Sequence, residues 1–137
     1  MNDIILNKKI SIERCIVQVR QYYAMDNGKP FEQDYLKQDA IGMNLQRICE
    51  LTIDIANYLI KSKKLGLPQD SADAFALLHR AGLISAGMVE NMKGMVGFRN
   101  VLIHEYKKLD VAIMADVVEH HLNDPLDFAS LALEVMG

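Results

Sequence analysis

Apolar residues recur along this chain at spacings of three and four, the period of helices that bury one face, and the repeats are punctuated by Gly, Pro and Ser. Ile12, Ile16, Val19 and Tyr23 form a first stripe, which Asn27-Gly28 and Pro30 bring to a stop. Ile41, Leu45, Ile48, Thr52, Ile55 and Leu59 form a second, with Cys49, Ile53, Ala56 and Ile60 beside them. That stripe is wide enough to pack on two neighbours and predicts the longest helix, from Asp34 to Lys64, ended by Gly66 and Pro68. Asp70-Ser71 offers an N-cap for a short helix through Ala72, Phe75, Leu77 and Leu78, closed by Gly82. Ser85 caps a fourth helix, and a last one spans Val111 to Leu122, where Pro125 kinks it or divides it from a C-terminal segment carrying Leu131, Leu133 and Val135. The expected fold is all-α, an up-and-down bundle of about five helices in one domain over residues 1–137.

Half of the 137 residues are apolar, enough for a sizeable core without covalent staples. Cys15 and Cys49 lie inside the apolar stripes without metal-motif spacing and read as reduced core thiols. The opening Ile-Ile-Leu run is too brief for a signal peptide, and no apolar stretch approaches the ~20 residues of a membrane span, so a cytoplasmic protein is expected. A formal net charge of −3 excludes holding long nucleic acid by bulk electrostatics; any contact with a polynucleotide must be local. Lys61, Lys63 and Lys64, and Lys107 with Lys108, read as solvated lysines at helix C-termini.

The fourth helix changes the picture. Projected at ~100° per residue, Met88, Met92, Met95, Arg99, Leu102 and Tyr106 fall on one stripe, so an arginine interrupts the line that should face the core. Buried and unpaired, that guanidinium would cost several kcal/mol, so carboxylates, a neighbouring chain surface or an anionic ligand must meet it. Glu50 and Asp54 share a face of the second helix and could supply the carboxylate, or could be ordinary surface neighbours. His104 projects about 140° from Arg99, beside Asn100 and Gly97, so the two cannot easily converge within one straight helix. Gly94 and Gly97 each cost about 1 kcal/mol against Ala, which points to a close backbone approach or a distortion just before Arg99.

An arginine and a histidine suit RNA cleavage by the RNA's own 2′-hydroxyl, which needs a proton acceptor, a proton donor and positive charge on the phosphate. Imidazole exchanges protons near neutrality, and a guanidinium fork can hold two phosphate oxygens, with no metal required. One histidine cannot easily serve as base and acid in one step, and it diverges from the arginine. Both difficulties ease in a homodimer whose two-fold axis brings each protomer's Arg99 and His104 opposite its mate's. Asn100, four residues before His104, can orient the ring or donate to a phosphate.

The arrangement R-x4-H-x-Y over Arg99, His104 and Tyr106, with Asn100 after the arginine and Gly97-Phe98 before it, resembles the HEPN superfamily, and within it the HepT-type toxins of bacterial toxin–antitoxin pairs. Asn44 to Arg47 with Glu50 and Asp54, Asp73-Ala74-Phe75 with Leu77-Leu78, and Met95-Val96 extend the similarity over most of the chain. The resemblance implies a metal-independent endoribonuclease without cofactor, its cleft built from Arg99 and His104 of both protomers. It also implies a partner, a small nucleotidyltransferase of the MntA type that neutralises the toxin by transferring AMP to the motif tyrosine, here Tyr106. An adenylylated phenol two turns from Arg99 would block the cleft and compete for the cation.

The competing reading is a catalytically silent HEPN-like module that binds nucleotides or a nucleotidyltransferase without cutting RNA. A di-metal bundle is set aside, because Glu-x-x-His pairs on two helices are missing. His120 and His121 project about 100° apart and cannot share a metal in helical geometry; Asp116 and His120 could chelate but lack a second pair. His79 reads as a residue compensating a helix dipole, and the eight methionines as core or interface filling.

Overall fold

The computed structural model describes residues 2–137 and contains six α-helices, with no strand among the described residues. They are α1 (Asp3–Ala24), α2 (Tyr35–Lys63), α3 (Ser71–Arg80), α4 (Ala86–His104), α5 (Val111–His120) and α6 (Asn123–Met136), with short 3-10 turns at Phe31–Gln33 and Tyr106–Lys108. The capping chemistry is where the sequence places it. Asp34, Asp70 and Ser85 accept from the backbone N–H groups of Lys37, Asp73 and Met88 and start α2, α3 and α4. α1 begins ahead of its stripe because Asn2 caps it and Ile5 is fully buried, whereas α2 ends where expected, closed by Lys64 itself in the left-handed region, φ 54°, ahead of Gly66.

α2 is the central strut and packs against α1, α3, α4 and α6. Its wide stripe of Ile41, Ile48, Ile55 and Leu59 is buried from end to end, as the spacing predicts. α3 and α6 meet in the core through Phe75 and Phe128, both fully buried, their rings edge to face at 5.2 Å. Cys15 and Cys49 are free thiols in this interior; burial pushes the Cys49 thiol up to about 12, with the neighbouring Glu50 carboxylate adding to it.

The turn before α2 carries polar groups that the periodicity does not announce. Lys37 is buried and its Nζ donates to the carbonyls of Tyr23 and Met25, capping the C-terminus of α1. Gln38 donates to the Phe31 carbonyl at 2.8 Å. Asn27 donates to Asp34 at 2.8 Å and, with the Lys37 backbone N–H, holds that carboxyl below its usual range.

In the C-terminal third the division expected near Pro125 is present, a few residues earlier. The expected last helix ends at His120, and the segment beyond it is a helix of its own, making six helices where about five are expected. Pro125 lies in the first turn of α6, where its missing N–H would have had no partner. Gly94 and Gly97 do not distort α4, which is continuous through both, and no other part of this chain approaches them, since a methyl group at either would meet nothing within 4 Å.

His120 and His121 both meet carboxylates at the α5–α6 corner. His121 Nδ1 lies 2.9 Å from Asp124 and its Nε2 lies 3.4 Å from Asp116, while His120 lies 4.0 Å from Asp116 and Glu119. The hydrogen bond with Asp124 leads in raising the His121 pKa, with the Asp124 and Asp116 charges adding to it. A raised folded-state pKa stabilises the protonated form. The gain is therefore full below the ordinary value of about 6.5 and fades as pH climbs through the folded value. In urea titrations His121→Gln will be less stable than wild type near pH 5.5, by no more than about 1 kcal/mol because the ring is half exposed, and the gap will close toward pH 8.

Candidate functional site

Four turns into α4, Arg99 occupies the core-facing side together with Met92, Val96 and Leu102, all buried. Its side chain is only 16% exposed. Two elements meet it there. Ser71, the first residue of α3, accepts from Nη2 at 2.8 Å, and Glu50 on α2 brings Oε1 to 3.4 Å from Nε. The second contact is a charge pairing without hydrogen-bond alignment, since Nε is buried and has no hydrogen-bond partner. Of the two carboxylates offered by the sequence, Glu50 is thus the partner, while Asp54 pairs with Lys8 of α1 at 3.7 Å. The Ser71 hydroxyl is a contact that sequence reasoning missed. Its position at the start of α3 was legible, but its aim at Arg99 depends on how α3 packs on α4.

His104 closes α4 on the opposite side and is exposed, as are Asn100 and Gly97 on the same strip of surface. No hydrogen bond or ion pair among the described residues engages the His104 imidazole or the Asn100 amide. The divergence expected from the helical wheel is thus present: one chain gathers Arg99, Glu50 and Ser71 into a polar knot and leaves His104 and Asn100 outside it.

Tyr106 requires a correction. It does not continue the helical stripe of Arg99, because α4 ends at His104, Glu105 turns the chain at φ −138°, and Tyr106 opens a 3-10 turn. The turn lays the ring over Gly42 of α2, where a Cβ would sit 3.7 Å from the ring, 3.5 Å from Met114 and 3.8 Å from Leu102. The phenol donates to Asp39 Oδ1 at 2.5 Å. Partial burial first, and the Asp39 carboxylate second, push the Tyr106 pKa up to about 12. Lys107 and Lys108 occupy the rest of this exposed turn and so lie beyond the α4 terminus.

A separate cleft of about 240 Å³ lies between α2, the middle of α4, α5 and the start of α6, floored by Leu45, Ile48, Met95, Phe98 and Val117. Arg99, Asn100, His104 and Tyr106 do not line it; they lie apart from it, toward the C-terminal end of α4. No helix is long and apolar enough to cross a membrane among the described residues.

Comparison with known proteins extends these observations. A family model described as ribonuclease HepT-like matches residues 12–131. The mRNA nuclease HepT of Shewanella oneidensis is 47% identical over 124 residues, covering 90% of this chain and 92% of that protein. A solved structure of a tri-AMPylated Shewanella oneidensis HEPN toxin in complex with MNT antitoxin superimposes with a TM-score of 0.89 at 44% identity, covering 98% of this chain and 99% of that one. A Bacillus subtilis cytosolic protein of unknown function, YutE, shares the fold alone, with a TM-score of 0.69 at 16% identity over 91% of this chain and 87% of its own.

Proposed function

The chain belongs to the ribonuclease HepT-like family, matched from residue 12 to residue 131, and on that premise we propose that it is an endoribonuclease toxin of a toxin–antitoxin pair, acting as a homodimer through Arg99 and His104. The observation that carries this reading is the placement of Arg99: a guanidinium in the core-facing row of α4, held in place by Ser71 and Glu50. A fixed cation with unused N–H donors suits a phosphate whose charge rises during reaction.

The chemistry follows from the residues. The imidazole of His104 takes the proton of a 2′-hydroxyl, whose oxygen attacks the adjacent phosphorus. Arg99 offsets the charge on the non-bridging oxygens, and the second protomer's imidazole protonates the departing 5′-oxygen. Asn100, exposed beside His104, orients the ring or donates to a phosphate. No step is routed through a metal. The outer strip of α4, with Gly94, Gly97 and Asn100 exposed and open to close approach, supports the two-fold contact that this scheme needs.

Neutralisation is assigned to a nucleotidyltransferase antitoxin of the MntA type that transfers AMP from ATP to Tyr106. Tyr106 is 41% exposed on a surface turn, with its ring against Gly42 and its hydroxyl on the exposed Asp39, where an enzyme can reach it. The attached phosphate would put negative charge just past the C-terminal end of α4, two residues beyond His104, and against incoming RNA.

The test is intact-mass measurement of the chain after incubation with the MntA-type nucleotidyltransferase and ATP, followed by RNA digestion with modified and unmodified protein. The expected result is a mass gain in AMP steps that Tyr106→Phe does not take, accompanied by loss of digestion. Unmodified wild-type protein that leaves RNA intact would instead favour the silent binding module.

A further inference from the structure

The exposed side of α2 carries Asp39, Met43, Arg47, Glu50 and Asp54 between the flanks of α1 and α4. One of these carboxylates holds Arg99. The other end of the row does something the proposed activity leaves unexplained: Asp39 accepts the Tyr106 hydroxyl across 67 residues of sequence, at 2.5 Å. The ring beneath that hydroxyl sits over Gly42, which has no side chain to displace it, so the hydroxyl is aimed at Asp39 while the residue stays 41% exposed. Asp39 itself is exposed and makes no ion pair among the described residues. The ionisable neighbours along the turn, Glu105, Lys107 and Lys108, make no hydrogen bond with the phenol.

A neutral phenol is a poor nucleophile and gains most from a base already within hydrogen-bond reach. We propose that Asp39 is the general base for transfer of the adenylyl group to Tyr106, a role that rests on Tyr106 being the acceptor. In the step, Tyr106 Oη forms a bond to the α-phosphorus of ATP, the bond from that phosphorus to the bridging oxygen breaks, pyrophosphate leaves, and the phenolic proton passes to Asp39 Oδ1. The toxin thereby brings its own base to its neutralisation, and the nucleotidyltransferase need only present the nucleotide in line.

The experiment measures initial rates of AMP incorporation by intact mass on the full chain with the MntA-type nucleotidyltransferase and ATP, across a pH series. Asp39→Asn is expected to slow kcat by roughly 10²–10⁴-fold with little change in the KM for ATP. Its residual rate should climb with pH as phenolate forms unaided, whereas the wild-type rate levels off once the carboxylate is ionised. Asp39→Glu should recover much of the lost rate, and thermal unfolding followed by circular dichroism verifies that each variant is folded. Asp39→Asn modified at the wild-type rate at every pH would overturn the inference while leaving Tyr106 as acceptor. An Asp39→Asn loss without a changed pH profile would reduce Asp39 to a positioning contact and likewise overturn it. Modification of Tyr106→Phe at the wild-type rate would instead remove the acceptor assignment on which it rests.

Discussion

His104→Ala will fold as the wild type does and lose RNA cleavage by roughly 10²–10⁴-fold, the usual worth of a positioned proton-transfer group. The two halves of that statement have separate grounds. Stability is spared because the side chain is exposed at the last residue of α4 and no hydrogen bond or ion pair engages it, so the expected change is within about 0.5 kcal/mol. Activity is lost because no other imidazole lies at this end of α4: His79 is bound to the Ile84 carbonyl at 2.9 Å, and His120 and His121 belong to the α5–α6 corner. A labelled RNA digested at equal protein concentration, together with a urea titration, reads both halves. Wild-type cleavage by the variant would remove His104 from the mechanism. Arg99→Ala should also lose cleavage, but with a stability change, because it leaves Glu50 and Ser71 without their partner. Mixing wild-type and His104→Ala copies then distinguishes a shared cleft from two independent ones, since a cleft that needs both imidazoles loses activity with the square of the wild-type fraction and an independent one only in proportion to it.

The largest stability effect will come from Phe128→Ala, at about 3–5 kcal/mol in urea unfolding. Phe128 is fully buried and meets the equally buried Phe75 edge to face. Removing the ring empties a cavity between α3 and α6 and deletes the aromatic contact, two losses that the packed α2 behind them cannot collapse to fill. Phe128→Leu should recover more than half of the loss, because it restores most of the volume without the ring's edge contact. An effect below about 1 kcal/mol would mean that α6 does not share the core with α3.

The starts of α2, α3 and α4 were legible because each carries its own cap. Asp34, Asp70 and Ser85 cap where side-chain chemistry requires a cap, and the Ile41-to-Leu59 row can be buried in only one way. The anomaly of Arg99 was legible too, since a charge in an apolar row needs nothing but the row to be noticed. What its partner would be was open between Glu50 and Asp54, which lie one turn apart on the same face; it turns on how α1 and α4 pack along α2, which sets Glu50 against Arg99 and Asp54 against Lys8. Tyr106 was misplaced because its spacing continues the helical period while the backbone does not: the chain leaves α4 after His104 with no Gly or Pro to announce it. The Asp39 contact, the Ser71 hydroxyl and the buried Lys37 were beyond reach for a common reason. Each is a polar group satisfied by an element distant in sequence, and helical periodicity is silent on polar pairing.

Asp39 and Glu50 are eleven positions apart on α2, a rise of about 16 Å, and each grips one end of the Arg99-to-Tyr106 segment. The long helix thus works as a ruler. Deleting a single residue anywhere between the two marks would turn one carboxylate by about 100° relative to the other, so that Arg99 and Tyr106 could no longer both be gripped, even with every amino acid of the motif intact. Length variation in this stretch should therefore be far less tolerated than substitution at its outward positions, such as Met43 and Arg47.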